Sequence, residues 1–133
     1  MSQCTHTISV VDDSDIIRRT FRVMLEHAGY SVTEFASGKE FLNSGLESLA
    51  DCILLDLEMP KPNGIDVLNA MQDLGCKMPV IVVTGTVDAA LLAATDRDLV
   101  SAILKKPIGP DALLAAVAAA LRQSSREAEA DAT

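Results

Sequence analysis

The residues best suited to chemistry stand at the ends of apolar runs. Asp12 and Asp13 close the run 8–11, and Asp56 lies near the end of 52–57. Thr84 and Gly85 follow the run 79–83, and Lys105-Lys106-Pro107 closes a weaker one at 102–105. If these runs are neighbouring strands, three carboxylates, one hydroxyl and one ammonium converge on a single rim. Crowded carboxylates repel one another, so such a cluster calls for a cation among them. An all-oxygen ligand set suits a hard divalent ion, and Mg²⁺ takes one or two carboxylates together with waters and phosphate oxygens. An aspartate beside Mg²⁺ can attack phosphorus and form an aspartyl phosphate. A transferring phosphoryl group carries charge on three equatorial oxygens, which Mg²⁺, Lys106 and Thr84 could share between them.

The elements that must position these groups are legible as hydrophobic pattern. The runs at 8–11, 52–57 and 79–83 are nearly continuous in Ile, Val and Leu. Strands apolar on both faces belong in a parallel sheet covered by helices. Weaker strands read at 31–35 and 102–105. Helical spacing fills the gaps: Ile16, Ile17, Phe21, Met24 and Leu25 repeat with that period, and Gly29 supplies a stop. Ser37 with Glu40 three residues on is a capping-box signature. Further helices are expected over 64–74, over 88–96, and from just after Gly109-Pro110 to about 122. Strand followed by helix, five times over, implies a doubly wound α/β sandwich. Ligands in such sheets bind beyond the carboxyl ends of the strands, the rim just described.

Composition narrows the partners. The chain has 133 residues, with 11 basic against 19 acidic and a net charge of −8. That charge repels phosphate backbones, so direct nucleic-acid binding is not expected. Arg18, Arg19 and Arg22 form the best basic cluster, which reads as a solvated or partner-facing surface. No apolar run reaches the roughly 20 residues that span a bilayer, and no signal peptide opens the chain, so a cytoplasmic protein is expected. Cys4, Cys52 and Cys76 are odd in number and widely spaced, with no metal or redox pairing. His6 and His27 are isolated.

The segments Val10-Val11-Asp12-Asp13, Ile53-Leu54-Leu55-Asp56-Leu57-Glu58-Met59-Pro60, Asn63-Gly64, Val82-Val83-Thr84-Gly85 and Lys106-Pro107 together resemble the receiver domain of bacterial two-component response regulators. The resemblance runs over nearly the whole chain, and around 30–42 it has the flavour of nitrogen-fixation regulators. It implies a flavodoxin-like five-stranded parallel sheet of order 2-1-3-4-5 flanked by five helices. It implies Asp56 as phospho-acceptor. Mg²⁺ would be held by Asp12, Asp13, Asp56 and the backbone carbonyl of Glu58. Lys106, on a peptide bond to Pro107 that is often cis in the family, would pair with the phosphoryl oxygens, and Thr84 would move towards them. The implied partners are a sensor histidine kinase or a histidine phosphotransfer protein as donor, and a downstream effector protein. The resemblance implies that the receiver itself would catalyse only its own phosphorylation and dephosphorylation and would not otherwise be an enzyme.

Two departures bear on output. Ile103 stands where most receivers carry Tyr or Phe, and Asp98-Leu99-Val100 replaces a short Gly-Ala turn before the fifth strand. Glu58 and Thr86, two residues past Asp56 and Thr84, are expected to flank the phosphoryl group and gate water. Residues 1–6 read as an N-terminal extension, 7–122 as a stand-alone receiver, and 123–133 as a flexible polar tail. One rival reading is a pseudo-receiver that docks partners without phosphorylation. Another is a phosphatase of the haloacid-dehalogenase type, which would need a second Asp where this chain has Glu58.

Overall fold

The computed structural model describes residues 6–45 and 50–132, with side chains in the last helix as far as Gln123. Cys4 lies outside the described residues. Five strands and five helices alternate: β1 (Thr7–Val11), α1 (Asp15–His27), β2 (Ser31–Phe35), α2 (Gly38–Leu42), β3 (Cys52–Asp56), α3 (Gly64–Asp73), β4 (Val80–Thr84), α4 (Ala89–Ala94), β5 (Val100–Lys105) and α5 (Pro110–Ala132). The strands pair in parallel in the order β2-β1-β3-β4-β5. Architecture and strand order are those the sequence implies.

Strand period sorts the core onto the two faces of the sheet. Leu54 packs with Ile8, Val10, Phe21, Leu25, Leu113 and Val117 beneath α1 and α5. Its neighbours Ile53 and Leu55 turn the other way, onto Phe41, Val67, Leu68 and Met71 of α2 and α3. The two central strands β3 and β4 are buried throughout. Each large aliphatic side chain taken from water there contributes about 1.5–3 kcal/mol. With no bulky aromatic layer to build, this aliphatic interdigitation is what fixes the strand ends in space.

Helix ends follow local chemistry. Ser14 caps α1 by accepting the Ile17 N–H, and Gly29 closes that helix with φ 98°. There the Gly29 N–H reaches the Glu26 carbonyl while the Tyr30 N–H reaches Leu25. Ser37 accepts the Glu40 N–H, the forward half of the capping box expected there. The full reciprocal box lies instead at α3, between Asn63 and Asp66.

The structure corrects several expectations. Ile16 is 78% exposed, while Arg18 is buried. Residues 18, 21 and 25 form the stripe that faces the sheet, which puts Ile16 on the outer side of α1. Arg18 is therefore no surface arginine: it donates to the Asp12 carbonyl at 2.6 Å and to Glu34 at 3.2 Å, and pairs with Asp15. Arg22 also pairs with Glu34. Strand β5 begins at Val100 rather than at 102, with a register shift opposite Val80 and Ile81 that accommodates Ser101 as an extra residue. Helix α5 continues through Ala132, where the sequence reading stops it near Arg122. Polarity suggested a tail, but after Pro110 the chain holds no Gly or Pro to end a helix. Among the described residues no helix is long and apolar enough to cross a membrane.

Candidate functional site

Asp12, Asp56, Thr84 and Lys106 stand one step past, or at the last step of, a strand, where the ladder still holds the backbone. The Asp12 N–H donates to the Phe35 carbonyl at 3.1 Å, extending the β1–β2 pairing. Asp56 ends β3 beside Val83, and the next N–H, that of Leu57, donates to the Val83 carbonyl at 3.1 Å. The Lys106 N–H donates to the Thr84 carbonyl at 2.7 Å. Rigid sheet edges, rather than loops, thus set the positions of Asp12, Asp56, Thr84 and Lys106.

The three carboxylates and Lys106 meet at this rim. Carboxylate oxygens of Asp12, Asp13 and Asp56 lie within 4.8 Å of one another, with Asp12 and Asp56 buried and Asp13 exposed. Lys106 Nζ lies 3.4 Å from Asp12 Oδ2 and 3.4 Å from Asp56 Oδ2. Asp12 Oδ1 accepts the Ser14 N–H at 2.9 Å, and Asp56 Oδ1 accepts the Glu58 N–H at 3.0 Å. The Lys106-Pro107 peptide is cis, and so is Lys61-Pro62, which the sequence reading did not single out.

Electrostatics follow from this crowding. Burial raises the Asp56 carboxyl above its ordinary value; the Glu58 N–H pulls it down, Asp12 pushes it up again, and Lys106 opposes. The net direction is upward. For Lys106, burial favours the neutral amine, but the attraction of Asp12 and Asp56 together outweighs it and the ammonium is held more firmly than usual. One ammonium faces three carboxylates, so the rim keeps an excess of negative charge that a divalent cation would offset. Hard oxygen donors at this spacing fit Mg²⁺ in kind and number.

Thr84 is buried on the same rim, and its hydroxyl is engaged by Glu58 and Thr86. Its hydroxyl lies 3.2 Å from Glu58 Oε1 and 3.2 Å from the Thr86 carbonyl. Ile103 pairs in register with Val82 and packs against the α2–α3 side of the core. Beyond the backbone carbonyl and flanking side chain that the sequence suggests for Glu58, its carboxylate accepts bonds from the Thr84 hydroxyl and the Gly85 N–H at the end of β4. Arg18, which grips the backbone of Asp12, was missed as a support of the site. Its place in the stripe with Phe21 and Leu25 was the signal.

The family model of the response regulator receiver domain matches residues 8–118. The chain belongs to that family. Among curated relatives, the transcriptional regulatory protein FixJ of Azorhizobium caulinodans is 33% identical over 120 residues, which cover 90% of this chain and 57% of that protein. The transcriptional regulatory protein ResD of Bacillus subtilis is 36% identical over 95% of this chain and 52% of its own length. The chain thus spans about half the length of the curated relatives it matches. Among solved structures, a CheY-like receiver domain protein from Methanospirillum hungatei superposes with a TM-score of 0.85 at 27% identity, covering 92% of this chain and 98% of that one. The chemotaxis protein CheY4 of Vibrio cholerae gives 0.81 at 28% identity over 89% and 100%. As a receiver, the chain is a two-component signalling module, and the haloacid-dehalogenase and pseudo-receiver readings find no support in these likenesses.

Proposed function

We propose that this receiver, over residues 7–122, accepts a phosphoryl group on Asp56 from a phosphohistidine of a sensor kinase or histidine phosphotransfer protein. The observation that carries this reading is the meeting of Asp12, Asp13, Asp56 and Lys106 at the strand ends, with Lys106 Nζ 3.4 Å from an Asp56 oxygen. An Asp56 carboxylate oxygen bonds to phosphorus as the phosphorus–nitrogen bond breaks, and its electron pair leaves with the donor imidazole. Burial makes the Asp56 carboxylate a stronger base, and therefore a better nucleophile, than a solvated one. Lys106 neutralises oxygen charge beside the attacking group, and Thr84 offers a hydroxyl from the neighbouring strand. Asp12, Asp13, Asp56 and the Glu58 carbonyl are the groups that would hold Mg²⁺. That ion, when bound, supplies positive charge for the phosphoryl oxygens.

The chain catalyses this transfer to itself and the later hydrolysis, in the cytoplasm, and signals by binding an effector protein rather than nucleic acid. This chain matches only 57% and 52% of the lengths of the relatives named as transcriptional regulators, so any DNA contact would belong to a separate unit. The test is direct. With Mg²⁺ and acetyl phosphate, intact mass should show a single phosphoryl adduct on wild type and none on Asp56→Asn, and chelator added before the donor should abolish it. An unlabelled wild type, under conditions that label a known receiver, would overturn the reading in favour of phosphorylation-independent docking.

A further inference from the structure

Glu58 is the fourth carboxylate at the rim, and its side chain points to donors rather than to the cluster. Its Oε1 lies 3.2 Å from Thr84 Oγ1 and also accepts the Gly85 N–H. The Thr84 hydroxyl in turn accepts the Thr86 N–H at 3.3 Å. A hydroxyl has one proton to give, and between the Thr86 carbonyl and a carboxylate at equal distance the charged acceptor makes the stronger bond. Gly85 permits the approach, since a Cβ there would stand 2.9 Å from Glu58 Oε1. An O–H and an N–H from the end of β4 therefore grip a single anionic oxygen.

We propose that the Glu58 carboxylate is a tethered anion that occupies the Thr84 hydroxyl and Gly85 N–H while Asp56 is unmodified, so that phosphorylation must displace it before Thr84 can turn inward. This rests on the reading of Asp56 as phospho-acceptor. Three features support the exchange. The two anions compete for the same single proton on Thr84. A phosphoryl group on Asp56 would repel a carboxylate two residues along the chain. The Glu58 side chain is exposed, so it can swing into water, while its backbone stays tied to Asp56 by the 3.0 Å bond from its N–H. Glu58 is a positioning residue for Thr84: it biases the two-state equilibrium of the receiver towards the unmodified arrangement. Such a bias lowers affinity for any phosphoryl mimic by the fraction of competent molecules.

The experiment titrates wild type, Glu58→Ala and Glu58→Gln with beryllofluoride at saturating Mg²⁺, alongside amide hydrogen exchange of Gly85 in the free proteins. Glu58→Ala should bind about tenfold more tightly than wild type, the scale of one lost charge-assisted grip. Glu58→Gln keeps an acceptor oxygen and should tighten binding by distinctly less. The Gly85 amide should exchange faster in the free Glu58→Ala protein. Equal tightening by both variants would mean that charge alone acts, and would overturn the latch. Unchanged affinity, or unchanged Gly85 exchange, would overturn it as well. Failure of all three proteins to bind beryllofluoride would instead overturn the Asp56 reading, and the latch with it.

Discussion

Asp56 is a carboxylate placed where ionisation is costly: 2% exposed, close to Asp12, and shared with it over one Lys106. Because it holds its proton more tightly folded than unfolded, its contribution to stability is greatest in acid. That contribution is lost as pH rises past the ordinary carboxylate value and through the raised folded one. Lys106 behaves in the same sense at the alkaline end, where its raised value keeps it charged until beyond the usual lysine range. At pH 7 in chelator, therefore, Asp56→Asn should unfold at a higher temperature than wild type, a stabilisation of about 1–2 kcal/mol. The gain should shrink as pH is lowered towards 4. Thermal melts of the two proteins across that range check it; a gain that grows in acid would contradict the assigned direction. The same residue is thus strained for stability and suited for reaction, which is common where a fold carries a site.

Among the elements, the start of α3 supports the site most closely. A Cβ on Gly64 would stand 2.6 Å from Leu57 Cα and 2.8 Å from the Asp56 carbonyl oxygen, so the helix start abuts the acceptor's own backbone. Gly64→Ala should cost about 1–3 kcal/mol in denaturant unfolding through this overpacking. It should also slow labelling of Asp56, because the backbone that must yield is the one carrying the carboxylate. Asn63→Ala removes the reciprocal cap beside it and should cost about 1 kcal/mol while leaving labelling close to wild type. That box escaped the sequence reading because Asn with Asp is not the Ser/Thr with Glu/Gln signature. The central strands were legible because they are apolar on both faces. The edge strand β5, half-buried and bulged at Ser101, showed its beginning poorly. For α1 the period and phase hold for Ile17, Phe21, Met24 and Leu25, which pack on the core. Only the margins of the stripe mislead, since a buried, ion-paired Arg18 looks polar to any hydrophobic count while exposed Ile16 looks like core.

At the scale of the molecule, the sequence revealed that charged groups gather at one rim but not how their side chains turn. Alternating strands and helices dictate that strand ends converge, and this made Asp12, Asp13, Asp56, Thr84 and Lys106 legible together. Side-chain rotation at the rim depends on neighbours from other strands, so the bond from Thr84 to Glu58, 26 positions apart, left no local trace. The excess negative charge at that rim makes the stability of the whole domain a measure of cation binding, because an ion that binds only the folded state stabilises it by mass action. Mg²⁺ at about a hundredfold over its dissociation constant should add roughly 2.7 kcal/mol to the unfolding free energy. Asp13→Asn, which alters an exposed member of the cluster and no core contact, should leave metal-free stability nearly unchanged yet remove most of that increment. A monovalent salt at matched ionic strength should not reproduce it, since screening over about 10 Å does little for oxygens packed within 4.8 Å. Equal shifts with sodium and magnesium, or an undiminished magnesium shift in Asp13→Asn, would show that the cluster does not bind the ion as a unit.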